Sequence, residues 1–421
     1  MKRRDLLVGA PFALALTSAN VRKAYAESGV VKVALLAPLT GFAAAAGHDM
    51  VHGWDLYWSG RGNMAGGAKV VTTVYDTAGT PAIGLNQARK AVEQDGAQMI
   101  LGPYLANVGY AVAPYAESHK VPIFFPTVSA DDLSQRKPSP YVLKVAGWSS
   151  SLTTHPAGVW AYEQGHRTAM TVGSAYAFGY ENCGGFCQTF VEHGGKIVQP
   201  QLWAPNGTTD FSSYFSHISS SNPDVVFVCE VGADAVHFME QWSQFGLKNK
   251  VALIANETLT DQSNLRSMPP EVVEGTIGFA HYAEGRDDKI TREFVLKYAA
   301  ANAQLPSYMA AGFFTAASWI AGAIEKVRGN VNDAGDFLAA IRDYRLSDSI
   351  FGPERLDQYG CPIENVYIRK VVATTGDAAK YAKTWNVVLK TYPHVSQFWT
   401  WKPSDYLKQP VYSDTFQGYS G

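Results

Sequence analysis

Short, wholly apolar runs alternate along this chain with longer stretches of helical spacing. Residues 31–37 (VKVALLA) are nearly all apolar and end at Pro38-Leu39-Thr40-Gly41; from Ala44 apolar positions recur at helical spacing. Such a run predicts a strand buried on both faces, as in a parallel sheet, with the next helix as its crossover. The unit then repeats. Residues 69–75 (KVVTTVY) predict a strand, 82–94 a helix, 98–102 a strand, 106–119 a helix and 121–126 (VPIFFP) a strand. A second series follows, with strands over 168–173, 196–202, 224–230 (DVVFVCE) and 251–255, and helices over 181–193 and 233–246. These βαβ units force parallel strands with right-handed crossovers. Two consecutive series imply an α/β fold of two doubly wound, parallel-sheet lobes. Residues 310–326 (AAGFFTAASWIAGAIEK) are apolar nearly all round, so that helix should be buried. Residues 392–421, rich in aromatics and proline, are expected to run over the surface.

The first 26 residues have another character: basic Lys2, Arg3 and Arg4, an apolar run over 6–16, then Ala24-Tyr25-Ala26. This is the layout of a cleaved signal peptide, with small residues at the cleavage point. Arg3-Arg4 ahead of Asp5-Leu6-Leu7 also resembles a twin-arginine signal. The apolar run is far short of the roughly 20 residues that span a bilayer, so a membrane anchor does not fit. The expectation is export to the periplasm with cleavage after Ala26.

The rest of the chain is too long for one core and natural for two lobes. A formal net charge of -2 with no long basic run argues against nucleic acid or anionic membrane as partner. Four cysteines are few for an exported protein of this length, so packing rather than a disulfide framework should hold it. Cys183 and Cys187 are the only close pair; zinc lacks a fourth ligand there, a disulfide within one helical turn would be distorted, and buried thiols are the simpler reading. Nucleophile elbow, P-loop, H-E-x-x-H and CxxC are missing from the sequence. The run Gly147-Trp148-Ser149-Ser150-Ser151 lacks the second glycine of an elbow and reads as a loop or helix cap. Two lobes without a reactive constellation favour a binding protein over an enzyme, with no metal and no cofactor expected.

Several segments together resemble the type I periplasmic solute-binding proteins of ABC importers, the leucine/isoleucine/valine-binding family. They are APLTGFAAAAGHDMVHG, MAGGAKVVTTVYDTAGTP, ILGPYLANVG, VPIFFPTVSADDL, SAYAFGYENC, PNGTTDFSSYFSHI, PDVVFVCEVGADA, GTIGFAHY and GFFTAASWIAGAIEKV, in order along the chain. The resemblance implies two lobes joined by a multi-strand hinge, one over 30–146 plus 282–350, the other over 147–281 plus 351–400, with 401–421 as a tail. It implies closure on a small solute and delivery to an ABC permease in the inner membrane, by a protein expected to be a monomer.

The resemblance also implies site residues. Ala106 and Asn107, after Gly102-Pro103, and Thr127 and Ser129, after Pro126, match the first-lobe positions that hold a ligand carboxylate. Ala106 stands where a serine is common. Thr127 and Ser129 could equally cap a helix ahead of Asp131-Asp132. Glu257 matches the acid that pairs with an amino-acid ammonium, its alternative being an exposed acid at a helix start. Tyr176 and Phe178 match aromatics that cover the ligand, Phe178 replacing a frequent tyrosine. Ala46 replaces a larger contact and leaves room. Tyr104, His281 and Tyr282 lie on loops expected to face the cleft. Glu257 favours an amino acid; Ala46 and the aromatic positions favour a bulky apolar or aromatic acid. An amide- or urea-type sensor is a further reading, against which the leader argues.

Overall fold

The structure, a computed structural model, describes residues 29–415; the leader therefore lies outside the described residues. The chain builds two lobes around two sheets. The first sheet has the order Met64–Ala65, Ala68–Asp76, Val30–Ala37, Met99–Leu101, Ile123–Phe124, Val142–Leu143. All its pairings are parallel except the hairpin between the first two strands. Val30–Ala37 is central, with Leu35 opposite Val74 on one side and Leu101 on the other, which is why the run had to be apolar on both faces.

The second sheet runs Glu354–Leu356, Pro362–Ala373, Ile277–Ala280, Ala252–Ala255, Val225–Cys229, Thr168–Ser174, with short strands added at both edges. The strands from 168 to 280 are mutually parallel; Pro362–Ala373 adds antiparallel to them and pairs in turn with Thr384–Val395. Helix Tyr308–Lys326, buried along most of its length as its composition requires, packs on helix Ala44–Ser59 of the first lobe. The approach is so close that a Cβ at Gly53 would sit 2.1 Å from the carbonyl oxygen of Ala310.

Local differences from the sequence reading have simple causes. The strand expected over 196–202 is two short ones, Lys196–Ile197 and Leu202–Ala204, divided at Pro200, which has no N–H for a ladder. The helix expected over 82–94 is α-helical over Pro81–Arg89 and continues as a wider π turn over Lys90–Gln94. Residues 392–395 belong to strand Thr384–Val395, and Gln397, Phe398 and Tyr406 are buried rather than spread on the surface. All four cysteines are buried free thiols.

Candidate ligand site between the lobes

The carboxyl ends of the strands in both sheets face one another, the place where open α/β sheets bind ligands. The lobes are in contact there. The Phe42 carbonyl abuts Gly232, Tyr110 Oη donates to Glu181 Oε1 at 3.1 Å, and Arg266 forms a salt bridge with buried Asp49. A cavity of about 250 Å³ remains at the mouth, lined among others by Phe42, Ala43, Ala46, Tyr104, Gly232 and Asn264. A larger groove of about 450 Å³ elsewhere on the molecule is lined by Arg286 and Arg292, but each already pairs with a neighbouring aspartate, Asp288 and Asp287.

Glu257 follows strand Ala252–Ala255 by two residues and is fully buried, so the exposed alternative does not hold. Burial pushes its carboxyl up to about 8, with the Arg369 guanidinium acting in the opposite direction. Arg369 itself is occupied by backbone and a hydroxyl, donating to Tyr282 O at 2.8 Å, Glu257 O at 2.7 Å and Thr260 Oγ1 at 3.2 Å. Neither carboxylate oxygen of Glu257 has a hydrogen-bond partner of ordinary geometry, although the Thr153 hydroxyl, the Trp148 indole and its own backbone N–H lie close enough to favour its ionised form. A buried carboxyl group left this way is costly unless something else supplies donors.

Around this acid stands an aromatic enclosure. Trp148 stacks on His281 at 4.4 Å between ring centroids, Tyr308 meets Trp148 edge-on at 5.1 Å, and Phe351 packs on His281 at 4.9 Å. His281 has no partner at either ring nitrogen, and burial lowers its pKa to about 3, so the ring is neutral. Tyr282 is buried with its hydroxyl unpartnered. Tyr104 Oη lies 3.5 Å from Tyr308 Oη. Tyr176 and Phe178 stack at 6.1 Å. Burial is the main reason the Tyr176 phenol is held well above its ordinary range, with the Tyr104 phenol of the first lobe acting in the same direction.

On the first lobe Ala106 opens helix Ala106–Ser118, whose start has no side-chain cap. Its free N–H groups suit an anion. Asn107 spends its Oδ1 on the N–H of Val108 at 2.9 Å. Thr127 Oγ1 donates to Pro103 O at 3.1 Å. Ser129 Oγ lies 2.9 Å from Ser150 Oγ, a hydroxyl that also lies 3.3 Å from the Ser129 carbonyl. Neither Thr127 nor Ser129 caps the short turn Asp131–Leu133, whose start carries no side-chain bond. Ala46 lines the mouth cavity beside Tyr104.

The sequence reading missed Trp148, Tyr308, Phe351, Glu230 and Asn256. Trp148 sits just before Ser149, which begins helix Ser150–Glu163, so its run looked like a plain cap. Glu230 had a legible signal: it is an acid directly beyond an all-apolar strand, Val225–Cys229, as Glu257 stands one residue further beyond Ala252–Ala255.

A profile of the periplasmic binding protein family matches residues 30–377. The chain belongs to that family. The "Leu/Ile/Val-binding protein homolog 6" of Brucella melitensis is 28% identical over 377 residues, 88% of this chain and 94% of the relative. An ABC transporter substrate-binding protein from Sphaerobacter thermophilus is 26% identical, with a TM-score of 0.79, covering 87% of this chain and 99% of that one. A solute-binding protein of an ABC transporter from Rhodopseudomonas palustris, solved with 3,4-dihydroxybenzoic acid, is 25% identical with a TM-score of 0.81, over 88% and 99% of the two chains.

Proposed function

We propose that this chain is the extracytoplasmic solute-binding component of an ABC importer, closing its lobes on a small apolar carboxylate and presenting it to an inner-membrane permease. The first-choice ligand is a branched-chain or other apolar amino acid. Glu257 carries this reading, as a fully buried acid whose oxygens make no hydrogen bond of ordinary geometry, where an ammonium would complete the set begun by the nearby Thr153 and Trp148 donors. The free N–H groups at Ala106 and the Ser129 hydroxyl would take the carboxylate, and Tyr104, Tyr176, Phe178, Trp148 and Tyr308 the apolar body. The lobes correspond to residues 30–146 plus 282–350 and 147–281 plus 351–400. Export with cleavage after Ala26 predicts an N-terminus reading Glu27-Ser28-Gly29.

A second reading, an aromatic acid, is favoured by the number of rings around the site and by the dihydroxybenzoate bound to the Rhodopseudomonas relative. In that case Glu257, neutral when buried, donates rather than accepts. The two readings differ in protons. An amino-acid ammonium ionises Glu257, so at pH 7 its binding releases a proton, whereas an aromatic acid leaves Glu257 protonated. Calorimetric titrations with leucine, valine and benzoate, repeated in buffers of different ionisation enthalpy, test this. Heat from leucine that varies with the buffer supports the amino acid; binding of benzoate alone, with buffer-independent heat, replaces it with the aromatic reading.

A further inference from the structure

Strand Glu354–Leu356 and the start of strand Pro362–Ala373 hold two acids to which the fold gives almost no partners. The strands pair antiparallel, with Arg355 opposite Ile363 and Leu356 opposite Pro362. Continuing that register by one residue sets Glu354 opposite Glu364 on the inner face, where they are 2% and 0% exposed. Opposed side chains in such a pair have Cβ atoms about 5 Å apart, so the two carboxyl groups are neighbours. Neither oxygen of Glu364 has a hydrogen-bond partner, and Glu354 Oε1 has none. Two carboxylates this close, without donors, cannot both stay charged inside a protein.

The donors available decide where the protons sit. Glu354 Oε2 lies 2.9 Å from Ser349 Oγ, which lies 2.8 Å from the Gly352 carbonyl and accepts the Phe351 N–H at 3.0 Å. Ser349 has one proton, and the Gly352 carbonyl can only accept. The set closes when Ser349 donates to Gly352 and Glu354, protonated on Oε2, donates to Ser349. Glu354 Oε1 is then a free acceptor, and a proton on Glu364 completes the chain from Glu364 through Glu354 and Ser349 to Gly352. Burial pushes the Glu354 carboxyl up to about 8 and holds that of Glu364 well above its ordinary value, with Glu354 acting on it in the same direction. The other charged and titratable groups that face the pair are Arg286, Lys144, Glu257 and the Cys361 thiol. Both cations are engaged elsewhere: Arg286 bonds Asp288, the Tyr367 hydroxyl and the Ser349 carbonyl, and Lys144 the carbonyls of Ser129 and Ala130.

The chain ends on the turn that carries Phe351. That ring packs on His281 at 4.9 Å and on Tyr282 at 5.8 Å, and the Phe351 carbonyl accepts from Tyr367 Oη at 2.7 Å. The same hairpin meets the crossing between the lobes, because Lys144, next after strand Val142–Leu143, donates its N–H to the Gly360 carbonyl at 2.8 Å. An acid pair that closes its hydrogen bonds only when protonated therefore stands behind a wall of the enclosure and beside the crossing. We propose that Glu354 and Glu364 form a proton-dependent lock: with both acids neutral the Phe351 turn is held against the enclosure, and loss of a proton frees the turn and loosens the hold on ligand. Only the effect on ligand rests on the small-carboxylate reading above.

Hydrogen exchange over residues 349–356, read by mass spectrometry between pH 6 and pH 9 and corrected for the intrinsic rate, tests the lock without ligand. Protection of this segment in the wild-type protein should fall as pH rises. In a protein carrying both Glu354→Gln and Glu364→Gln it should stay at its low-pH level, because an amide donates where the acid's proton did and does not ionise. Dissociation constants for leucine and benzoate over the same range give the second readout. The ratio of the wild-type constant to that of the double variant should rise by roughly fivefold or more from pH 6 to pH 9. Glu257 titrates in both proteins, so the ratio isolates the pair. Wild-type protection that does not change with pH overturns the lock without any variant being made. So does a loss of protection as large in the double variant, or a ratio that stays constant. If neither ligand binds, the small-carboxylate reading falls, while the exchange experiment still decides the lock.

Discussion

Glu257 is fully buried, and the cost of its burial, together with the relief the proposed ammonium would bring, can be measured. Its carboxyl sits at about 8 in the structure against an ordinary 4.5, so between those pH values the closed protein holds a proton that the unfolded chain has lost. Stability therefore falls as pH rises through that window. Asp261, raised to about 6 chiefly by burial, acts in the same sense at lower pH. The full linkage of about 1.4 kcal/mol per pH unit is an upper limit, because parting the lobes rehydrates the acid; an effect of about 1–2 kcal/mol is expected. Urea unfolding of the unliganded protein at pH 5 and pH 8 should show it, and Glu257→Gln should reduce the difference, leaving the share that Glu230, Glu354 and Glu364, also raised by burial, contribute. An equal slope in both proteins would mean that Glu257 ionises freely in solution. With leucine bound the sign of the substitution reverses: Glu257→Gln should weaken binding by about 1.5–3 kcal/mol, the range for a hydrogen bond to a charged group, and unchanged affinity would discard the ammonium pairing. Ser129→Ala should weaken leucine and benzoate alike, since both carry the carboxylate; a lowered melting temperature with intact affinity would instead make Ser129 a purely structural residue, bonded to Ser150.

At the level of elements, the loops beyond the sheets also carry the closure. Asp49, on helix Ala44–Ser59 of the first lobe, is fully buried and receives Arg266 from the second lobe, Gln304 at 2.9 Å and Tyr298 at 3.3 Å. Nearby, Asp261 of the second lobe accepts the Tyr308 N–H at 2.8 Å, just where helix Tyr308–Lys326 begins. Of these, the Arg266–Asp49 and Asp261–Tyr308 contacts cross between the lobes, whereas Gln304 and Tyr298 reach Asp49 from within the first lobe. A ligand's apparent affinity falls with the fraction of protein able to close, so Arg266→Ala should weaken every ligand by about 1–2 kcal/mol and raise the radius of gyration in small-angle scattering. A loss confined to one ligand would place Arg266 in the site instead. The elements that frame this latch were unevenly legible in the sequence. The two βα series stood out because buried parallel strands are continuous apolar runs, and Val30–Ala37 and Val225–Cys229 are of that kind. The long antiparallel pair Pro362–Ala373 and Thr384–Val395 mixes buried positions with Arg369, Lys370 and Lys390, so no such run marks it. Helix Ser150–Glu163 is buried on nearly every side and rich in serine and threonine, which hides any helical stripe. In the site, Glu257 and the hydroxyl loops were reached through the resemblance, whereas Trp148 and Tyr308 meet only through the fold.

The whole molecule adds a device that neither lobe has alone, the segment that follows strand Thr384–Val395. Gln397 accepts from Ser134 Oγ at 2.8 Å and donates to Asp357 at 2.7 Å, and Arg136 donates to the Gln409 carbonyl at 3.0 Å. Those partners approach from the first-sheet side and from the crossing at residues 354–361. From the second lobe, Gln188 donates to Gln409 Oε1 at 2.8 Å and His155 lies 3.1 Å from Tyr412 Oη. Tyr406 is buried between them, against Phe398, Trp401 and the His155 ring. The segment thus bridges residues of both lobes. Tyr406→Ala should lower unfolding free energy by about 3–5 kcal/mol, the cost of emptying a buried aromatic site. Its effect on ligand should run through closure alone, shifting affinity for all ligands by one common factor while the preference among them stays fixed. Equilibrium unfolding alongside titration of leucine and benzoate measures both. A changed preference would show that the tail reaches the ligand site, and an unchanged melt would show that Tyr406 packs without holding the lobes.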